Sequence, residues 1–286
     1  MTAQPEPLGD PSASAPPDPR EEMWRRLLTD RWPEQRQHRI FRHIPSPPRC
    51  KGCAAPFAGP GARVMGLLGR APWPKNPKYC GVCFAALSAS HGGAEVECSL
   101  LFADVRGSTT MAEGMRPAEF TRLMGRFYDT ATDVLVMHDA IVDKFVGDEV
   151  IGIFIPGMAG ASHAERAIAA AEALLRRTGH ADPGGPWVPV GAGVNTGMAY
   201  VGAIGEGLDT ELTAMGDTVN TTARLASAAG RGEILVTASS AAAATVGDGS
   251  ARWSVDGLER RSLELKGKTA LTEVFVVKVV PMPPQG

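Results

Sequence analysis

Long apolar runs are missing from this chain of 286 residues. No uninterrupted stretch approaches the roughly 20 residues that span a bilayer, so no membrane insertion is expected. An excess of either charge is missing too: 29 Lys and Arg stand against 31 Asp and Glu, a net charge of -2. That balance carries no electrostatic footprint of a nucleic-acid binder. The opening "MTAQPEPLGD" lacks the basic and apolar regions of a secretory signal, and a cytoplasmic location is expected. The six histidines form no convincing spacing with each other or with the cysteines, so no catalytic histidine is singled out. No internal repeat is apparent. Cysteine is absent beyond Cys98; all five lie at positions 50, 53, 80, 83 and 98.

What is present divides into two parts. Residues 1–20 carry six prolines among Ser, Ala and Asp and read as a disordered tail. In 21–45, "EEMWRRLLTDRW" has acidic residues first and basic ones later, with Met23, Trp24, Leu27 and Leu28 on one side. It predicts a short amphipathic helix, followed by an extended "HIPSPPRC". Residues 46–88 hold "CKGC" and "CGVC", 26 residues apart. Four thiolates in two knuckles suit a tetrahedral, structural Zn²⁺ held by Cys50, Cys53, Cys80 and Cys83. The spacing slightly exceeds the usual ribbon range, which leaves an iron–sulfur cluster or redox-active pairs as alternatives. Cys98 alternates with Val96, Leu100 and Phe102 and is expected to be a buried apolar residue. "SASHGGAE" (88–95) reads as a linker.

From residue 95 to 281 the pattern becomes an alternation of strands and helices. "EVECSLLFADV" is an apolar strand, and 117–138 places Phe120, Leu123, Met124, Phe127, Ala131, Val134 and Leu135 at helical spacing. "AIVDKFV" and "EVIGIFI" flank a Gly147-Asp148 turn. A helix follows over 162–179, then two strands, "WVPVGAGVNTG" and "MAYVGAIG". A third helix, "DTVNTTARLASAAG", precedes the strand "GEILVTAS". The order β-α-β-β-α-β is that of an α+β, ferredoxin-like split βαβ fold.

Asp104 ends the first of these strands and Asp148 lies in the tip joining the next two. In a split βαβ sheet those two places are neighbours, so two carboxylates 44 positions apart can converge. Hard divalent ions take one or two carboxylates together with substrate phosphates. Asn220 and Arg224, four apart, share one helix face.

Five blocks carry a resemblance: "FADVRGST" (102–109), "DKFVGDEV" (143–150), "GVNTG" (193–197), "AMGDTVNTTARL" (214–225) and "LKGK" (265–268). In this order they resemble the signature blocks of class III adenylyl cyclases, over about 95–280. The resemblance implies that Asp104 and Asp148 bind two Mg²⁺ or Mn²⁺ ions per active site. It implies that Lys144 and Thr213 read the adenine of ATP, and that Asn220 and Arg224 orient the ribose and stabilise the transition state. Lys266 would contact the terminal phosphates, with Lys268 close by. A homodimer is implied, with the carboxylates of one protomer facing the purine, ribose and transition-state groups of the other. Residue chemistry agrees with ATP, because adenine offers an N1 acceptor and an N6 donor to a Lys donor and a hydroxyl acceptor. Guanine reverses that pattern. One departure stands out: Gly191 occupies a position where some family members carry a phosphate-binding arginine. Two rival readings are a degenerate, nucleotide-binding regulatory module and a diguanylate cyclase. The latter would not explain "DTVNTTARL".

Overall fold

The structure is a computed structural model that describes residues 18–30, 32–44, 48–74, 76–205, 210–246, 253–268 and 270–281. Most of the expected disordered tail therefore lies outside the described residues, as does part of the extended "HIPSPPRC" segment. The N-terminal part comprises α1 (Pro19–Thr29), α2 (Gln35–Phe41), α3 (Gly59–Leu67), β1 (Pro72–Trp73), β2 (Asn76–Cys80) and α4 (Gly81–Ala89). The larger part begins with β3 (Gly92–Val105), α5 (Ser108–Gly114), α6 (Pro117–Met137), β4 (Ile141–Val146) and β5 (Glu149–Phe154). It continues through α7 (Pro156–Ala159), α8 (His163–Arg177), β6 (Val190–Ile204), β7 (Glu211–Met215) and α9 (Asp217–Ala228). It ends with β8 (Glu233–Thr237), α10 (Ala238–Val246), β9 (Glu259–Leu263) and β10 (Thr272–Lys278). Among the described residues no helix is long and apolar enough to cross a membrane.

Strands β4-β5-β3-β6-β8-β10-β9 form one sheet in that order, and β7 pairs with β6. The first four, with α6 and α8 as connections, make the antiparallel split βαβ core expected from the sequence. Strand β3 is buried on both faces, so it reads as a near-continuous apolar run. Leu101, Ala103 and Val105 pack with Met124, Phe127, Ala131, Val134 and Leu135 of α6 and with the Ala/Leu face of α8. The alternate residues Val96, Cys98, Leu100 and Phe102 pack on the other side, with Trp24, Leu28, Tyr79, Phe84 and Leu87 of the N-terminal part. Cys98 is fully buried there, and burial pushes its thiol up to about 12.

The N-terminal part thus shares a core with the sheet. It is also held by charge: buried Asp139 accepts from Arg42, beside α2, and from Arg166 of α8, both at 2.7 Å, with His38 at 3.7 Å. Burial opposes the Asp139 charge, but the His38 hydrogen bond and the two guanidiniums hold its pKa below the usual carboxylate value.

Two expectations need correction. Residues 88–95, read as a linker, are the end of α4 and the beginning of β3, where Gly92 and Gly93 pair with Ala203 and Gly202. A Cβ on Gly93 would lie 2.5 Å from the Val201 carbonyl oxygen, so Gly93 serves close strand approach, while Gly92 supplies a φ of +124°. The two strands read over 187–205 are one continuous β6, Val190–Ile204. Its Gly197 faces Thr218 of α9, with 3.1 Å between an added Cβ and Oγ1. A Cβ on Gly193 would meet that of Leu225 at 2.6 Å. The glycines of "GVNTG" let α9 lie directly on the sheet.

Candidate active site

The β4–β5 hairpin closes with Val146 opposite Glu149, leaving Gly147 and Asp148 as a two-residue turn. Gly147 has φ +62°, the left-handed region that a Gly enters without cost. Tyr128 of α6 donates to the Gly147 carbonyl and props the tip. Cross-strand register sets Asp104 opposite Glu149, and the Val105 N–H donates to the Asp148 carbonyl at 3.3 Å. The sheet therefore brings Asp104 and Asp148 to one end, both half-buried. Glu149 joins them as a third carboxylate, which the sequence reading did not single out. Burial, then the charge of Asp148, pushes Glu149 up to about 7, against the pull of Arg106.

Arg106 is the other residue that sequence reasoning missed. Its guanidinium forms an ion pair with Asp104 and donates to the Ser227 carbonyl at 2.9 Å. Burial lowers its pKa, while Asp148 and Glu149 work to raise it. A side-chain cation thus already compensates these carboxylates. Oxygen donors, partial exposure and a demand for positive charge are what a hard divalent ion requires. Arg106 lies in the "FADVRGST" block, two residues after Asp104, but was given no role there.

Asn220 and Arg224 stand on the outer side of α9, whose inner side buries Thr218, Thr221, Thr222, Leu225 and Ala226. Arg224 reaches the turn before β10: a Cβ on Gly267 would lie 3.4 Å from its Nη2. Gly267 has φ +78°, and the "LKGK" block folds around it. Lys268 pairs with Asp217, whereas exposed Lys266 makes no ion pair among the described residues. Gly191 is explained by packing, since an added Cβ would lie 2.8 Å from the Ala229 carbonyl oxygen. An arginine there would have to displace the end of α9.

The two residues expected to read the purine, Lys144 and Thr213, fall on β4 and β7. Pairing of β4 with β5 slips between Val142 and Phe145, a bulge that contains Asp143 and Lys144. The Lys144 side chain lies outside the described residues. Thr213 is buried and donates from Oγ1 to Asp143 Oδ2 at 2.8 Å, joining β7 to β4.

Cys50, Cys53, Cys80 and Cys83 are all buried, with their sulfurs within 4.8 Å of one another. Cys53 and Cys80 sulfurs are 3.8 Å apart. That matches the edge of a tetrahedron with metal–sulfur bonds of about 2.3 Å, roughly 3.8 Å. The Cys80 N–H donates to Cys50 Sγ, and Gly52 leaves room for Cys83 Sγ, 3.0 Å from where a Cβ would stand. Burial works against the charge of Arg70, yet the Cys53, Cys80 and Cys83 sulfurs raise its pKa, a counter-charge to a thiolate cluster. The four cysteines could hold one metal ion.

Residues beside these cysteines touch β4 and β7 or the residues at their ends. Lys51 donates to the Asp143 carbonyl, Lys78 pairs with Glu211, and the Leu212 N–H donates to the Tyr79 hydroxyl at 3.1 Å.

The family described as the adenylate and guanylate cyclase catalytic domain matches residues 93–278. Adenylate cyclase 1 of Rhizobium meliloti is 33% identical over 134 residues, 45% of this chain and 20% of that protein. An uncharacterised Mycobacterium tuberculosis protein is 31% identical over 178 residues, 62% of this chain and 31% of its own length. The chain therefore spans about a fifth to a third of these curated relatives. Among solved structures, the guanylyl cyclase Cya2 aligns with a TM-score of 0.57 at 28% identity, over 68% of this chain and 98% of that one. The adenylyl cyclase CyaB from P. aeruginosa aligns with a TM-score of 0.54 at 25% identity, over 65% and 96%.

Proposed function

Because this chain belongs to the adenylate and guanylate cyclase catalytic domain family, we propose that it is an adenylate cyclase, converting ATP to 3′,5′-cyclic AMP and pyrophosphate. The observation that carries the reading is the meeting of Asp104 and Asp148 at one end of the sheet. With adenylyl and guanylyl cyclases both among the similar structures, the base is argued from the residues: Lys144 and Thr213 complement adenine. The name of the Rhizobium relative supports the same choice.

The ribose 3′ oxygen attacks the α-phosphorus, its proton leaves, and the bond to pyrophosphate breaks. Asp104 and Asp148 would hold two Mg²⁺ or Mn²⁺ ions, which supply acidity at the 3′ hydroxyl and charge for the departing pyrophosphate. Asn220 orients the ribose, and Arg224 presents a planar, permanent cation to the α-phosphate. Lys266, which makes no ion pair among the described residues, takes the terminal phosphates.

Two copies of the chain assemble the site, each giving carboxylates to one and purine, ribose and phosphate groups to the other. The four cysteines hold a structural Zn²⁺; sulfurs gathered this closely favour a single ion over a multi-iron cluster. Through Lys51, Lys78 and Tyr79 that module regulates the purine strands.

Mixing Asp104→Ala chains with Asn220→Ala chains tests this. Each is inactive alone, and a mixed dimer regains one intact site, so about a quarter to a half of activity returns. Demonstrated mixed dimers without activity would refute the shared site. Absence of turnover of ATP and GTP by the unaltered chain would leave a nucleotide-binding module.

A further inference from the structure

Asp143 precedes Lys144, is 2% exposed, and has no part in the reaction described above. Its carboxylate accepts the hydroxyl proton of Thr213, 70 residues away in sequence. A threonine hydroxyl has one proton and two acceptor lone pairs, whereas an ionised carboxylate can only accept. A Thr213–Asp143 contact at 2.8 Å therefore fixes which partner donates. With its proton committed to Asp143, Thr213 can offer a base only lone pairs. Without that carboxylate the hydroxyl could rotate and donate as readily as accept.

We propose that Asp143 is a specificity-determining positioning residue: by taking the Thr213 proton it makes the hydroxyl an obligate acceptor, favouring the 6-amino group of adenine and opposing the 6-oxo group of guanine. The inference rests on the adenylate cyclase reading above and deepens it. Threonine alone is an ambiguous reader, and the paired carboxylate removes the ambiguity. The arrangement is held rigidly. Asp143 lies in the β4 bulge, Thr213 is 6% exposed on β7, and the N–H of the preceding Leu212 is bound by Tyr79. A buried pair cannot exchange its proton partner for water at small cost, so the polarity persists when the nucleotide arrives.

The test is the ratio of kcat/KM for ATP to that for GTP, with products identified. Asp143→Leu keeps the branched shape and removes the acceptor, and should lower the ratio about tenfold or more, the worth of one hydrogen bond changing sign. In a Thr213→Val background the same substitution should change the ratio no further, because Asp143 acts through Thr213. A merely structural role would lower both rates together and leave the ratio in place; that result overturns the inference while cyclic AMP production by the unaltered chain still stands. A GTP preference in the unaltered chain would remove both. If Asp143→Leu does not fold, two substrates decide the point on the unaltered protein. The 6-methylamino- and 6-methoxypurine riboside triphosphates are alike in size and share an N1 acceptor, but position 6 donates in the first and accepts in the second. Turnover of the first should exceed that of the second about tenfold; equal rates would overturn the proposal.

Discussion

Arg106→Met should tighten divalent metal binding at the Asp104–Asp148 end of the sheet. The methionine keeps most of the apolar stem and removes the charge. In the ion pair, the Arg106 and Asp104 side chains are 21% and 20% exposed, so solvent screens the pair only in part. Two unit charges about 4 Å apart at an effective permittivity of about 20 attract by roughly 4 kcal/mol, an upper bound before desolvation is subtracted. Partial exposure and the desolvation of both groups leave about 1–2 kcal/mol. An entering divalent ion must overcome that amount, because it competes with the guanidinium for Asp104 and is repelled by it. Removing the charge should then lower the metal dissociation constant about 5- to 30-fold. Calorimetric titration with Mn²⁺ in the absence of nucleotide measures this directly. Arg106→Lys serves as the control that keeps the charge. The lost bond to the Ser227 carbonyl should cost about 1 kcal/mol of stability and must be checked by thermal unfolding. Unchanged or weaker Mn²⁺ binding in folded Arg106→Met protein would refute the competition.

Purified protein should contain about one zinc per chain, lost in Cys80→Ser. That variant should show a several-fold higher KM for ATP with Mn²⁺ binding at the carboxylates unchanged; a folded, metal-free protein with ordinary KM would sink the coupling. Asp139 has a pKa depressed by His38, Arg42 and Arg166 against the effect of burial. Its contribution is therefore present above the unfolded carboxylate value of about 3.9 and is lost as pH falls through the lower folded value. Asp139→Asn should cost about 2–3 kcal/mol at pH 7, less than a fully buried pair because Arg42 and Arg166 are partly exposed, and should flatten the acid limb of the unfolding curve.

The elements with strong local signals were legible. Helix α6 follows its apolar spacing from Pro117, and the hairpin turn at Gly147-Asp148 is where the dipeptide places it. The split βαβ order then sufficed to put Asp104 near Asp148 without any contact being known. What escaped was set by tertiary approach. Gly197 looked like a strand end, but the 15-residue β6 runs through it, because the glycine answers to Thr218 on α9. Gly92 and Gly93 looked like a linker and are strand residues: β6 comes too close for a side chain at Gly93, and Gly92 takes a φ of +124° that L side chains rarely adopt. Arg106 and the Asp143–Thr213 pair carry no local pattern at all. An arginine two positions after an aspartate, or an aspartate before a lysine, acquires meaning only when a distant strand supplies the partner.

The same reasoning bears on how a buried metal site could govern a nucleotide site it does not touch. Among the described residues no hydrogen bond joins a cysteine to β4 or β7, but a neighbour of each knuckle makes one. Lys51 follows Cys50 and reaches the Asp143 carbonyl; Tyr79 precedes Cys80 and holds the Leu212 N–H. Lys51 and Tyr79 are the covalent neighbours of Cys50 and Cys80, so a shift of those cysteines displaces their hydrogen bonds to β4 and β7. Loss of the ion would let the four sulfurs part. The movement would fall on the backbone beside Lys144 and Thr213, and on the Thr213–Asp143 hydrogen bond between them, before it reached the carboxylates at the far end of the sheet. Metal state should therefore alter base selection and nucleotide affinity before it alters the affinity for divalent ions.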